Sequence, residues 1–422
     1  MELHLPNDLA GEQRPASRQS LRVAFVTETW PPEVNGVALT AARVVAGLQQ
    51  RQHDVQLLRP RQVPAPGAPP AEGSARLHEV LVHGLHEVLV RGLPIPRYPH
   101  LRMGMPCKPQ LLRLWSVQRP DVVHIATEGP LGWSALQAAR RLSLPVTSDF
   151  RTNFHAYSRH YGVGWLRAPI MGYLRRFHNA AAVTMVPTEA LQRELLAAGF
   201  RQVRVVARGV DTPRFAPDLR SAALRAAWGV TDEDLVVCCV GRLAAEKNLD
   251  VLVRAFEAIH ARNARARLLL VGDGPQRDAL VARLPRAIFA GQRHGKDLAA
   301  HYASADLFLF PSLTETFGNV TVEAMASGLP VVAFDHAAAA QLIRPGEEGD
   351  LVPFGDADEF VRVAVQLAGS RTRRLALGQR ARQRALGLDW DQVITRFEAE
   401  LLQAVHPRPT PTAGARTAAT AA

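Results

Sequence analysis

The chain has 422 residues, of which 47% are hydrophobic and 21% charged, with a formal net charge of +11. Its length predicts two domains, and its basic excess predicts anionic partners such as nucleic acid, lipid headgroups or phosphorylated small molecules. Three cysteines exclude a disulfide framework, and no apolar run approaches the ~20 residues that a membrane span needs.

The first stretch, MELHLPNDLAGEQRPASRQS (1–20), has neither a basic n-region nor an apolar h-region and reads as a flexible lead without an export signal. RVAFVTE (22–28) predicts a strand, LTAARVVAGLQQR a helix and DVQLLRP the next strand. A tandem octad follows, LHEVLVHG-LHEVLVRG (77–92); its period is too short for a solenoid unit, and it reads as a local duplication lengthening a strand or loop. DVVHIATE (121–128), GWSALQAARRL and PVTSDF (145–150) resume the alternation. From Phe150 to Thr188 there is no Asp or Glu, while arginines interleave with Trp165, Leu166 and Tyr173. This is either a basic amphipathic surface for anionic lipid headgroups or a core-facing helix with a solvated outer face. After the helix EALQRELLAAGF a domain boundary falls near 195 to 207.

The second half repeats the rhythm. LVVCCVG (235–241) predicts a strand that carries Cys238 and Cys239 as buried thiols of a reduced compartment. LDVLVRAFEAIHAR, RLLLVGDG, QRDALVARL, AIFAG, ADLFLFPS and PVVAFD continue the series, and WDQVITRFEAELLQAV (390–405) predicts a last helix. Two rounds of β and α segments define an α/β fold class with two doubly wound, mostly parallel sheets. The expected organisation is a flexible N-terminus (1–20), a first Rossmann-like domain (21–200), a second (205–387), a helix returning to the first (388–405) and a disordered tail (406–422). Ligands of such sheets bind outside the carboxyl ends of the strands, so the loops after those strands are where chemistry is expected.

Three loops stand out. PPEVNGV (31–37) places Gly36 just before a helix N-terminus, where main-chain N–H groups bind phosphate; a plain βα turn is the bland alternative. VGRLAAEKNLD (240–250) sets Arg242 and Lys247 beside a strand end, one as a fork and one as a point charge for a diphosphate, ahead of a helix with Asn248 as its N-cap. Surface solvation explains the same pair less well at that location. PSLTETFGNVTVEAMASGLPVVAFD (311–335) carries Glu315 and Glu323 eight residues apart. Glu315 falls in a loop and Glu323 about one turn inside a short helix closed by Gly328 and Pro330. The N–H groups of Thr316, Phe317, Gly318 and Asn319 suit an anion, and the two carboxylates suit sugar or ribose hydroxyls. Asp-x-Asp triplets at 232–234, 356–358 and 389–391 fall at loop-to-helix transitions, where capping accounts for them better than a metal.

The Glu-x7-Glu pattern, preceded by FPSLTETFG and followed by EAMASGLPVVA, resembles family 4 retaining glycosyltransferases of GT-B architecture. GRLAAEKNLDVLVRAF, VGDGP, FAG, YASADLFLFPS and RGVDTPRF occur in the family's order, and the resemblance covers residues 21 to about 400. TETWPPEVNGV and HIATEGPLGWSALQAARR look like the branch of GDP-mannose-dependent α-mannosyltransferases and glycolipid glycosyltransferases. The resemblance implies two Rossmann-like domains facing a central cleft, acceptor on the first and nucleotide sugar on the second. It places Gly36 beside the donor diphosphate and Arg242 and Lys247 as the pair that neutralises it. Glu315 then faces the donor sugar, with Thr316, Phe317, Gly318 and Asn319 as donors around it, and Glu323 holds the ribose. No metal and no cofactor beyond the donor is expected, since fixed cations and helix N-termini carry the leaving-group charge.

One stretch departs from the family. Relatives usually show S-x-F-H-T-N-F; in SDFRTNFH (148–155) Arg151 stands at the histidine's place and His155 comes one helical turn later. Arginine is no base near neutral pH, so Arg151 is expected at the reacting centre as an electrostatic contributor, with His155 second. The expected function is transfer of a hexose, mannose or glucose, from a GDP- or UDP-hexose to a hydroxyl of a lipid-linked or glycan acceptor, with retention. The expected location is cytoplasmic and peripheral at the inner face of the cell membrane, on an anionic lipid surface. A sugar-nucleotide 2-epimerase or hydrolase of the same architecture is the alternative enzyme. A nucleic-acid-binding protein is disfavoured, because no aromatic-basic recognition module is visible.

Overall fold

Strands buried on both faces and helices buried on one build two open sheets in a computed structural model, which describes residues 19–33, 36–62, 77–82, 84–95, 98–151 and 167–407. The first part of the chain runs β1 (Arg22–Val26), α1 (Gly36–Gln50), β2 (Asp54–Pro60), β3 (His78–Val82), β4 (Leu85–Val90), β5 (Gly92–Ile95) and β6 (Tyr98–Gly104). It continues with α2 (Lys108–Val117), β7 (Val122–Ile125), α3 (Pro130–Arg141), β8 (Val146–Asp149), α4 (Arg167–His178), β9 (Val183–Val186), α5 (Glu189–Ala197) and β10 (Val203–Val205). Eight of these strands form one sheet in the order β10-β9-β8-β7-β1-β2-β4-β3, parallel except for β3. The pair β5 and β6 forms a separate antiparallel ribbon.

The second part holds α6 (Ala222–Ala227), β11 (Val236–Val240), α7 (Leu249–Arg262), β12 (Arg267–Val271), α8 (Arg277–Arg283), β13 (Ile288–Gly291) and α9 (Gly295–Ala303). Next come β14 (Leu307–Phe310), α10 (Asn319–Ala326), β15 (Val331–Phe334), α11 (Ala337–Leu342) and β16 (Gly349–Val352). The helices α12 (Ala357–Ala368), α13 (Arg371–Leu386) and α14 (Trp390–Val405) are the last described elements. Its six strands are all parallel, in the order β13-β12-β11-β14-β15-β16.

The alternation of strand side chains divides each sheet's core into two layers. Every residue of β11 is buried. Cys238 faces the layer with Phe308 and Met325, and Cys239 faces the layer with Leu252 and Phe360. Both cysteines are free, and burial pushes the Cys239 thiol up to about 12. Each large apolar side chain buried in these layers contributes about 1.5–3 kcal/mol.

Two expectations need correction. The octad duplication does not lengthen a strand. Its copies pair with each other as a hairpin, from His78↔Leu89 to Val82↔Leu85, and so add an edge strand. Gly84 makes this local, since at φ +78° it occupies the left-handed region that a tight hairpin turn requires. The first sheet also runs past residue 200. β10 pairs with β9 from Val203↔Thr184 to Val205↔Val186, three residues too few for a visible hydrophobic period.

The last helix lies against the first. Ile394, Phe397 and Leu401 of α14 pack with Val44, Val45 and Leu48 of α1, and a Cβ at Gly47 would come within 2.6 Å of Ile394 Cγ1. Beside this seam is a buried ionic cluster. Arg51 donates to Glu398 Oε2 at 2.6 Å, to Asp391 Oδ1 at 2.5 Å and to Thr395 Oγ1 at 2.7 Å. His53 Nδ1 accepts from the N–H of Leu21 at 3.0 Å, so its Nε2 carries the hydrogen that meets Glu398 Oε1 at 3.0 Å. The chain crosses between the sheets twice, and the crossings touch: Val210 N donates to the carbonyl of Leu388 at 3.1 Å, and Gly209 lies against Trp390.

Candidate functional site

The three loops picked out from the sequence sit at carboxyl ends of strands and converge. The first leads from β1 into α1, which begins at Gly36. A Cβ on Gly36 would stand 3.4 Å from Asn319 Nδ2 and 3.7 Å from Arg208 NH1, so the start of α1 abuts the start of α10. The second loop follows β11 as a short 3-10 turn, Ala245–Lys247. Asn248 is the N-cap of α7 by position but makes no side-chain capping bond; it takes φ 54°, which lets the turn reverse directly into the helix. The third loop follows β14 and ends at Gly318, the N-cap of α10, whose φ of +93° is left-handed and favours glycine there. Leu313 N donates to the Glu246 carbonyl at 3.1 Å and ties the second loop to the third.

Apart from Arg208, the charged side chains that meet here are ion-paired. Lys247 Nζ binds Glu315 Oε1 and lies 5.4 Å from the centroid of the Phe310 ring. Glu315 Oε1 also accepts from Ser312 Oγ at 2.8 Å. Arg242 is ion-paired with the buried Glu246. The Arg151 guanidinium is ion-paired with Asp149, and its carbonyl accepts from Thr316 Oγ1 at 3.0 Å. That last bond brings the end of β8 against the Glu315 loop. Burial would raise the Asp149 carboxyl, but Arg151 and His124 outweigh burial and hold it at about 2. Four cations (Arg151, Arg208, Arg242 and Lys247) thus face three carboxylates (Asp149, Glu246 and Glu315).

The phosphate-sized donors are open. Among the described residues, nothing accepts from the N–H groups of Thr316, Phe317, Gly318 or Asn319. The Phe317 ring is buried in the core, and its carbonyl accepts from Ala338 N at 2.8 Å, which anchors the loop from below. Glu323 stands apart from this group, half-buried on α10. Its Oε2 accepts from Tyr302 Oη at 3.0 Å. Burial pushes its carboxyl up to about 7, only partly countered by Tyr302 and Arg214.

His155 lies outside the described residues; of the two side chains weighed in that stretch, Arg151 is the one described. Sequence reasoning missed Arg208, Tyr302, Ser312 and the pairing of Asp149 with Arg151. Arg208 and Tyr302 fall inside the quoted runs RGVDTPRF and YASAD, which carried no individual role. Of the Asp-x-Asp triplets, Asp356 and Asp389 accept the capping N–H of Glu359 and Asp391. Asp234 instead closes a turn ahead of β11 by accepting from Thr231 N at 2.6 Å and pairs with Arg265, so no helix starts there. Among the described residues no group of three or more His, Cys, Asp or Glu is placed to hold a metal ion. No helix among them is long and apolar enough to cross a membrane.

Residues 34–214 match the family model described as Glycosyltransferase Family 4, and residues 234–370 match that described as Glycosyl transferases group 1. The chain is 36% identical over 385 residues to a "GDP-mannose-dependent alpha-mannosyltransferase" of Mycobacterium tuberculosis (strain CDC 1551 / Oshkosh), covering 90% of this chain and 97% of that protein. Its fold is similar to sucrose-phosphate synthase from Thermosynechococcus elongatus, with a TM-score of 0.72 at 19% identity over 91% of this chain and 98% of the other. It is also similar to Anabaena HepE, solved in complex with UDP-glucose, with a TM-score of 0.68 at 19% identity over 91% and 100% of the two chains.

Proposed function

This chain belongs to glycosyltransferase family 4 and is a hexosyltransferase, and from that premise we propose that it moves mannose from GDP-mannose to a hydroxyl of a lipid-linked acceptor, with retention and without a metal. The observation that carries this reading is the convergence of Gly36, Lys247, Glu315 and Asn319 where the carboxyl ends of the two sheets meet. Fixed cations and open N–H groups suit the leaving diphosphate, whose charge grows as the bond to the sugar breaks. Donor C1 exchanges its bond to the β-phosphate oxygen for one to the acceptor oxygen on the same face, and that phosphate oxygen takes the acceptor's proton. Lys247 and Arg242 neutralise the diphosphate, and Glu315, already beside Lys247, faces the sugar. Arg151 shapes the field from the first domain while its own charge rests on Asp149. The relative's name supports GDP-mannose over a UDP-hexose, and transfer over epimerisation or hydrolysis.

For the acceptor, the supporting feature is α4, where Tyr173, Arg175 and Arg176 are exposed on one basic helix. Aromatic and basic side chains together favour the headgroup level of an anionic membrane. Thermal shift against GDP-mannose, GDP, UDP-glucose and UDP, followed by transfer of labelled mannose into lipid extract, tests the reading. At a hundredfold excess over Kd the correct donor adds about 2.7 kcal/mol of stability, a rise of a few degrees in Tm. Stabilisation by UDP-glucose alone would replace the donor, and stabilisation by no nucleotide would overturn the reading.

Glu323 supplies a second, pH-dependent test. Assigned to the ribose, it accepts hydroxyl hydrogens best when ionised, so GDP affinity should rise with pH through about 7 and be flat in Glu323→Gln. Its folded carboxyl titrates above its ordinary value, so stability is lost as pH rises out of the ordinary carboxylate range, and the full cost of the charge is in place above about 7. Glu323→Gln should therefore raise Tm at pH 8, by up to about 3 kcal/mol of stability, while weakening GDP. A wild-type affinity that ignores pH between 6 and 8 would remove Glu323 from the ribose site.

A further inference from the structure

Arg208 lies just after β10, in the first crossing between the sheets, and is 7% exposed. The buried Arg225 and the half-buried Arg382 are far better supplied, although Arg225 Nε makes no hydrogen bond among the described residues. Arg225 donates to the carbonyls of Ser304, Thr231 and Asp234 and to Asp306. Arg382 reaches the carbonyls of Thr212, Phe215 and Ala326. Arg208 makes one hydrogen bond among the described residues, from NH1 to Asn319 Oδ1 at 3.3 Å, and its NH2 is buried without any partner. Its guanidinium carbon stands 5.7 Å from the centroid of the Phe317 ring.

A buried guanidinium with idle donors is costly, and its neighbour Arg151 adds repulsion. Burial first and Arg151 second pull the Arg208 group down to about 9, against the attraction of Asp149 and Glu315. A staple between linker and helix would not need this position, because one long bond to a neutral amide is poor compensation. An arriving anion supplies what is missing. The idle nitrogen belongs to the guanidinium whose NH1 stands between the first residue of α1 and the first residue of α10, and helix N-termini favour the same negative charge.

Resting on the proposed donor site, we infer that Arg208 is a third phosphate-binding cation of the cleft, which grips the β-phosphate of the nucleoside diphosphate from the interdomain linker. It joins Arg242 and Lys247, which reach the same group from the second sheet. The forked guanidinium holds Asn319 with one nitrogen and the phosphate with the other, so the linker and α10 share one ligand.

Calorimetric titration of full-length wild type, Arg208→Ala and Arg208→Lys with GDP and GMP, and with UDP and UMP in parallel, tests this. Arg208→Ala should weaken the diphosphate by about 10–100-fold and the monophosphate by less than about twofold. Arg208→Lys should fall between, keeping charge without the fork; it also serves if the alanine variant fails to fold. Equal loss of diphosphate and monophosphate would mark a merely structural residue and overturn the inference. Unchanged diphosphate binding with a raised KM for the acceptor would assign the cation to an acidic acceptor and overturn it as well. A wild type that binds no nucleotide fails the donor site itself, a result distinct from any defect confined to Arg208 variants.

Discussion

Glu315→Gln should lower turnover by about 10²–10³-fold while binding GDP as tightly as wild type or more tightly. Glu315 touches Lys247 and Ser312, so the neutral amide releases Lys247 for the diphosphate and leaves the nucleotide pocket intact. Only the carboxylate's field at the sugar is lost, where positive charge develops as the donor bond opens. Single-turnover transfer measured beside GDP titration separates the two effects. A variant with full turnover would remove Glu315 from the reacting centre. A variant that has lost GDP along with turnover would make it part of the nucleotide pocket instead.

Glu398→Ala should cost about 3–5 kcal/mol of stability. It removes the buried carboxylate that Arg51 and His53 share and leaves a cation and an imidazole N–H without that partner in a seam closed by Ile394 and Phe397. Asp391 and Thr395 still hold one arm of Arg51, which keeps the estimate below complete unfolding. Chemical denaturation reads the loss directly. Pairing Glu398→Leu with Arg51→Met should restore much of it, because a buried ion pair replaced whole by apolar groups is often neutral. A single-variant loss under about 1 kcal/mol would mean that apolar packing alone holds α14.

The strands were readable because burial on both faces writes continuous apolar runs such as VVCCV and LFLF. The Glu315 loop was readable because a strand end, a glycine and a helix start must follow one another closely in the chain to bind an anion. Arg208 was not, because its meaning depends on Asn319, 111 positions away, and a lone arginine after a three-residue strand has no period. Tyr302 is similar: its hydroxyl meets Glu323 only after α9 and α10 pack. Arg151 was read as an electrostatic contributor at the reacting centre, and its pairing with Asp149, two residues earlier at the same strand end, was not foreseen. The Asp232–Asp234 triplet misled because a carboxylate that caps a helix and one that closes a turn leave the same local composition.

The two crossings between the sheets bear on motion as well as connectivity. Because Val210 and Leu388 are hydrogen-bonded and Gly209 lies on Trp390, the paired segments hold together as one unit on which a pivot would fall. Any rotation of one sheet against the other would turn about this unit, displacing each point in proportion to its distance from it. Arg208 is the residue adjoining that pivot. A phosphate bound by Arg208, as inferred above, would therefore act directly beside that pivot.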